Sequence, residues 1–218
     1  QRCEELATTV STTLALEGDS MISESGLATN LRENDPYEYL IENGQIMQTG
    51  RGQFVYSGDF LVLFDAVDAI LKEYCITVGA VPQLYPTLVE TSKLADAGYF
   101  SSFPHNAIFA APCKLDRSAL KRVADVQPKE EENLSGCLAS PNYVLAPTVC
   151  YHCFSALSQS EVASKSFTAL NKCHRNEVSE VQGLERLTTF WMRELITFGS
   201  TDHVTNQLSS ALQFSCEL

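Results

Sequence analysis

The strongest constraint on this chain is a pair of runs, residues 170–178 and 187–198, that read as two strands. The second is dense in aromatic and β-branched residues, which suit a pleated, half-buried surface. Between them, Ser179-Glu180-Val181-Gln182-Gly183 reads as a long hairpin loop. The second half of the chain is therefore committed to a sheet. Upstream, residues 58–75 repeat apolar side chains at Phe60, Leu63, Phe64, Val67, Ile70 and Leu71, one face of a helix. After Gly79, residues 80–89 carry Pro82 and Pro86, which forbid a helix and predict an extended segment at a sheet edge. Thr91 to Gly98 predicts a short helix, and residues 142–147 a strand entering a turn. Residues 160–167 are polar enough for a connector or short helix. Ser200 or Thr201 caps a final helix whose apolar face is Val204, Leu208 and Leu212.

The first 50 residues carry mixed signals: a turn at Asn34-Asp35-Pro36, then Tyr39-Leu40-Ile41 before Asn43-Gly44. They read as a small N-terminal layer, with residues 51–218 as the main domain. The run at residues 127–133, Gln-Pro-Lys-Glu-Glu-Glu-Asn, reads as a solvated loop.

With 218 residues, 44% of them hydrophobic, the chain has material for one sizeable core. Its formal charge of −12 sets up a field that repels phosphate backbones, which argues against an extended tRNA-binding surface, although an acidic surface can also be no more than a solvated one. No run approaches the ~18 apolar residues of a membrane span, and the N-terminus lacks a signal-peptide pattern, so a cytoplasmic protein is expected. Eight cysteines, including Cys3, then point to buried thiols or metal ligands before disulfides. The first residue is not Met, which leaves a processed product or a fragment open.

The chemistry concentrates in two places. One is Arg175-Asn176-Glu177, followed by a loop containing Gly183 and Arg186, then Phe190-Trp191-Met192-Arg193-Glu194. On a strand, Arg175 and Glu177 would share a face, placing a guanidinium for a phosphate beside a carboxylate that accepts from an amino group. An ordinary cross-strand salt bridge is the alternative. The other is Thr148-Val149-Cys150-Tyr151-His152-Cys153, whose CxxC admits a zinc-ribbon or redox reading. With no second CxxC and no βαβ start, Cys153 reads as a buried thiol, and His152 and His174 as core or hydrogen-bonded histidines.

The Arg-x-Glu, loop Arg and Phe/Glu strand, in that order, resemble motif 2 of class II aminoacyl-tRNA synthetases. The resemblance implies an α+β fold, an antiparallel sheet flanked by helices. It also implies that Arg175 contacts the α-phosphate of ATP, Glu177 the adenine amino group, Phe190 the adenine face and Arg186 the phosphates. Thr148-Val149-Cys150 stands where ordinary seryl enzymes carry Thr-x-Glu. Cysteine there is characteristic of atypical methanogen seryl-tRNA synthetases and of the related amino acid:[carrier protein] ligases. These bind zinc through Cys, Glu and a later Cys, and coordinate the substrate amine to the metal. Carried over, Thr148 and Cys150 bind substrate, and Cys150 and Glu194, 44 positions apart, are two of the zinc ligands. The helix at 58–75 and the segment ending at Pro86 resemble motif 1, which builds the family's dimer interface. Tyr99-Phe100-Ser101-Ser102-Phe103-Pro104-His105 also looks like the ligases.

The resemblance covers about residues 45–210 and implies ATP with Mg²⁺, zinc, a small amino acid (glycine or alanine), a carrier protein whose phosphopantetheine thiol accepts it, and a homodimer. A Gly-rich, Arg-bearing motif 3 does not follow Glu194, and Cys216 comes far sooner than the family's third cysteine. It reads as a helix-end thiol, with substitution as a ligand left open. The sheet is then expected to be incomplete toward the C-terminus. A fragment of a ligase, a non-catalytic interaction protein keeping the synthetase dimer surface, and a tRNA-charging enzyme remain as readings, the last disfavoured by charge and by the lack of a heptad-bearing arm.

Overall fold

The computed structural model describes residues 36–126, 134–158, 160, 163–177 and 183–218. Cys3, most of the N-terminal layer, the turn residues Asn34 and Asp35, the acidic run at 127–133 and the hairpin loop at 178–182 lie outside the described residues. The chain divides into two compact units, residues 1–47 with 56–61 and residues 48–55 with 62–218.

In the first unit, helix α1 (Pro36–Glu42) ends where Gly44 takes a positive φ of 65°, and the Ser57 hydroxyl donates to the Gly44 carbonyl at 2.7 Å. The Gln45 side-chain oxygen accepts from the Phe60 amide at 3.2 Å. Strands β1 (Ile46–Gly50) and β2 (Gln53–Tyr56) pair with each other. Residues 48–55, most of both strands and the turn between them, belong to the second unit, where the Gly52 carbonyl accepts from Thr188 at 2.9 Å.

The second unit is built on two small sheets. Helix α2 (Gly58–Thr77), which belongs to this unit from Val62 on, leads into β3 (Ala80–Pro82), then β4 (Leu88–Glu90), α3 (Thr91–Asp96), α4 (Tyr99–Ser102) and a 3-10 turn at Pro104–Asn106. Strand β5 (Phe109–Ala110), α5 (Arg117–Ala124), β6 (Tyr143–Leu145) and α6 (Cys150–Leu157) follow. The last elements are β7 (Lys165–His174), β8 (Thr189–Phe198) and α7 (Thr201–Glu217). One sheet runs β3-β7-β8, with β3 parallel to β7 and β7 antiparallel to β8; the other runs β4-β6-β5, all antiparallel.

The fold is the expected mixture of helices and largely antiparallel sheet, and the extended segment at 80–89 takes edge positions. It serves both sheets: Gln83 prolongs the β3 pairing by donating to the Thr168 carbonyl at 2.8 Å, Leu84 stands 92% exposed, and Leu88 enters the second sheet.

Three local expectations change. Strand β7 starts at Lys165, inside the stretch read as a connector, and stops at His174, four residues before the expected end. Its polar residues hid it. Ser166, Thr168 and Asn171 are buried, each satisfied by a partner: the Thr197 hydroxyl at 3.1 Å, the Arg193 guanidinium at 3.2 Å and the Pro86 carbonyl at 3.0 Å. On α2, Leu63 and Val67 of the predicted face are exposed, whereas Tyr74 and Cys75 are buried and Asp68 turns inward to Arg193. On α7 the Ser200 cap forms as predicted, its hydroxyl accepting from His203 at 3.3 Å, but the predicted apolar face is outermost, with Val204, Leu208 and Leu212 at 38%, 59% and 58% exposure. The packed face is Gln207, Ser210, Ala211 and Phe214. Tyr74 selects it: its ring stacks on Phe214 at 4.1 Å and its hydroxyl meets that of Ser210 at 2.9 Å.

Candidate functional site

The pleat of β8 sends alternate side chains to opposite faces. Phe190, Met192 and Glu194 point to one face, and Trp191, Arg193 and Leu195 to the other. Ala169 pairs with Glu194 in register and Cys173 with Phe190, so the first face also holds Ala169 and Cys173, packed with Val149, Tyr85 and Met192. The second face carries Leu195, which packs on the Tyr74, Cys75 and Ala80 cluster that Ala211 and Phe214 of α7 also cover, and Arg193 against Asp68 of α2.

The chain crosses to the first face after β6. The Ala146 carbonyl accepts from His174 at 2.9 Å, tying this crossing to the end of β7. Pro147 favours an extended Ala146 at the end of β6, because a residue preceding proline is held out of the helical region. Helix α6 then opens at Cys150, directly over Glu194. The Thr148 hydroxyl donates to Glu194 Oε1, and the Val149 amide donates to the same oxygen at 3.1 Å. Thr148 Oγ1 also lies 3.6 Å from Cys150 Sγ and 3.6 Å from Met192 Sδ. Burial pushes the Cys150 thiol up to about 11 against the opposing bond from Thr148, and the Glu194 carboxylate adds to the rise. Cys173 is pushed up to about 12, by burial first and then by Glu194.

Beside this cluster, Arg175 Nε donates to the Pro147 carbonyl at 3.1 Å, and its guanidinium sits 5.1 Å from the centre of the Phe190 ring. Thr148, Cys150, Glu194, Arg175 and Phe190 are thus gathered around the Thr148–Cys150 crossing.

Glu177 and Arg186 form a separate pair, 3.5 Å apart, with the Arg186 side chain 59% exposed. Here the strand argument fails: β7 has ended at His174, and the Glu177 amide turns back to the Arg175 carbonyl at 3.0 Å. That tight turn breaks the alternation on which the shared face of Arg175 and Glu177 rested. Asn176 is anchored as well, its amide donating to the Asn106 carbonyl at 3.1 Å and its side chain to the His105 carbonyl at 3.3 Å.

Cys150 and Glu194 offer a thiol sulfur and a carboxylate, donor types that zinc accepts, but a catalytic zinc takes three protein ligands. Among the described residues no group of three His, Cys, Asp or Glu could hold a metal, so Cys150 and Glu194 make at most two donors of such a set. Cys216 does not complete it, since α7 packs on the face of β8 opposite Glu194. Nor do the histidines. His152 stacks on Tyr85 at 5.7 Å and its buried Nε2 has no partner among the described residues, while His174 Nδ1 meets the Thr189 hydroxyl at 3.1 Å. Cys153 is the buried residue of α6. Met192 and Cys173 were not singled out in the sequence, although counting back by twos from Glu194 reaches Met192.

No protein-family model matches the chain. Its fold is that of the class II aminoacyl-tRNA synthetases. The seryl-tRNA synthetase of M. kandleri, solved with A. aeolicus tRNASec, superposes with a TM-score of 0.75 at 24% identity, over 84% of this chain and 38% of that one. Giardia lamblia prolyl-tRNA synthetase, solved with prolyl-adenylate, gives 0.65 at 14% identity over 81% and 33%. By sequence, the chain is 27% identical over 193 residues to the type-2 serine–tRNA ligase of Methanococcus maripaludis, covering 84% of this chain and 38% of the relative. It is 30% identical over 125 residues to amino acid–[acyl-carrier-protein] ligase 2 of Bradyrhizobium diazoefficiens, covering 56% and 36%. The chain is class II synthetase-like, related to type-2 seryl-tRNA synthetases and to a carrier-protein ligase, and spans 38% of the length of the seryl relative.

Proposed function

We propose that this cytoplasmic protein is an adenylate-forming ligase that activates a small amino acid with ATP and passes it to the phosphopantetheine thiol of a carrier protein. The observation that carries the reading is the meeting of Cys150 and Glu194 over one face of β8, beside the Arg175 guanidinium. The substrate carboxylate attacks the α-phosphorus, the bond to the bridging oxygen breaks and pyrophosphate leaves; the thiol sulfur then attacks the carbonyl and expels AMP. Arg175, fixed by Pro147 and Phe190, stabilises charge on the α-phosphate. Phe190 offers a ring to adenine, Glu177 an acceptor for its amino group, and exposed Arg186 a cation for the outer phosphates with their Mg²⁺. Thr148 and Val149 hold Glu194 by Oε1, so that its carboxylate and Cys150 face the amine together.

A zinc ion held by Cys150, Glu194 and a third ligand would supply an open position that takes a neutral amine and refuses an ammonium. The exposed Val62, Leu63 and Val67 of α2 and Val81 on the free edge of β3 are consistent with burial in a homodimer.

Transfer to tRNA is the second reading, favoured by the seryl relatives, whose match covers more of this chain than the ligase match does. Amino-acid-dependent ATP–pyrophosphate exchange tests the common step, and no exchange by a folded, zinc-loaded chain with glycine, alanine or serine removes the proposal. Acceptor choice is read by offering carrier protein and tRNA separately. Zinc content of wild type against Cys150→Ala tests the metal: equal retention takes Cys150 out of the site.

A further inference from the structure

We infer that Tyr99 is a substrate-contacting residue, its hydroxyl donating to an anionic oxygen of the substrate that Arg175 also holds. The inference rests on the adenylate-forming reading and deepens it, because neither Tyr99 nor its hydroxyl has a part in the chemistry above.

Tyr99 opens α4, where Gly98 with φ of 72° turns the chain out of α3. The residue is 5% exposed and its ring is fully used. It packs in a cluster with Val89, Leu94, Val144 and Ala146, and meets Tyr151 edge-on at 5.5 Å. The hydroxyl is not used: it is buried and has no hydrogen-bond partner among the described residues. Buried phenols nearly always find one, and an orphan carries a desolvation cost that a ligand oxygen would remove.

Its neighbours define the oxygen. Asn176 pins the turn that follows α4 to the Arg175 segment through the carbonyls of His105 and Asn106. On the other side, Tyr151 directly follows Cys150. The Arg175 charge acts on the Tyr99 phenol, opposing the upward push of burial. A guanidinium has donors only, so a group that bonds both it and the hydroxyl must accept from each. That describes a phosphate or carboxylate oxygen. Both occur in the activation step, on the α-phosphate and on the amino acid.

The test is calorimetric binding of two probes, Mg-ATP and alanyl-sulfamoyladenosine, to the full chain and to Tyr99→Phe, with melting temperatures of the free proteins. The variant is expected to bind the adenylate analogue at least tenfold more weakly while melting at the same temperature or higher, since the lost hydroxyl had no partner among the described residues. Weakening of both probes assigns the oxygen to the α-phosphate; weakening of the analogue alone assigns it to the acyl group. Affinities within twofold of wild type for both probes, or a clear drop in melting temperature, overturn the inference while leaving the adenylate reading standing. A wild-type chain that binds neither probe overturns both.

Discussion

Glu194 and Arg193 are adjacent, yet the pleat gives them different tasks. Glu194 is held under Thr148 and Val149 at the candidate site, whereas Arg193 is spent on the other face in a bidentate pair with Asp68, at 2.5 and 2.7 Å. The family resemblance singled out Cys150 and Glu194, which the fold brings together, whereas strand alternation misplaced Glu177, because a tight turn after His174 cancels the period of two. His152 and His174 show how burial sets chemistry one residue at a time. Burial is the first cause that holds each below the ordinary imidazole range, and Lys172 adds to it for His174. The folded chain therefore disfavours the imidazolium, and the unfolded chain binds more protons between the lowered values and about 6.5. Stability should be fully present above that pH and fall as the pH drops below it. Melting temperatures from pH 7.5 to 5 check this, and His174→Gln should flatten the slope.

Among elements, α2 and α7 both resisted assignment of a buried face. Helix α2 is apolar nearly all round, so periodicity alone does not choose, and the choice fell to a charge: Arg193 draws in Asp68 and with it that side of the helix. Asp68→Ala should cost about 3–5 kcal/mol by leaving a largely buried guanidinium unpaired, with Asp68→Asn losing less. Thermal or denaturant unfolding measures both. On α7 the stripe that looked buried is exposed, because the stacked pair of Tyr74 and Phe214 fixes the other rotation. Phe214→Ala should then cost about 3 kcal/mol or more, whereas Leu208→Ser should change stability by no more than about 0.5 kcal/mol. Equal losses would place the predicted face inward after all.

For the molecule as a whole, the formal charge of −12 bears on the choice between acceptors. A long-range field of that sign slows approach of a phosphate backbone. The chain should show little affinity for tRNA near physiological salt, and no steep gain on lowering the salt. Filter binding across a salt series would reveal the contrary, a strongly salt-dependent association, and that result would favour the tRNA acceptor.

Local structure was written in the sequence: the pairing of β7 with β8, the long helix before a proline-bearing edge, and the Ser200 cap. Each depends on neighbours a few positions away, through strand pairing, helical period or proline's fixed φ. Only the tertiary structure decided which polar side chains of β7 lie buried, which way α2 and α7 are rolled, and that the Thr148–Cys150 crossing closes over Glu194. Those outcomes turn on partners many residues distant, Thr197, Arg193 and Pro86 for the buried polar groups and Tyr74 for the last helix. A side chain's burial is set by what meets it in space, and no local pattern encodes that meeting.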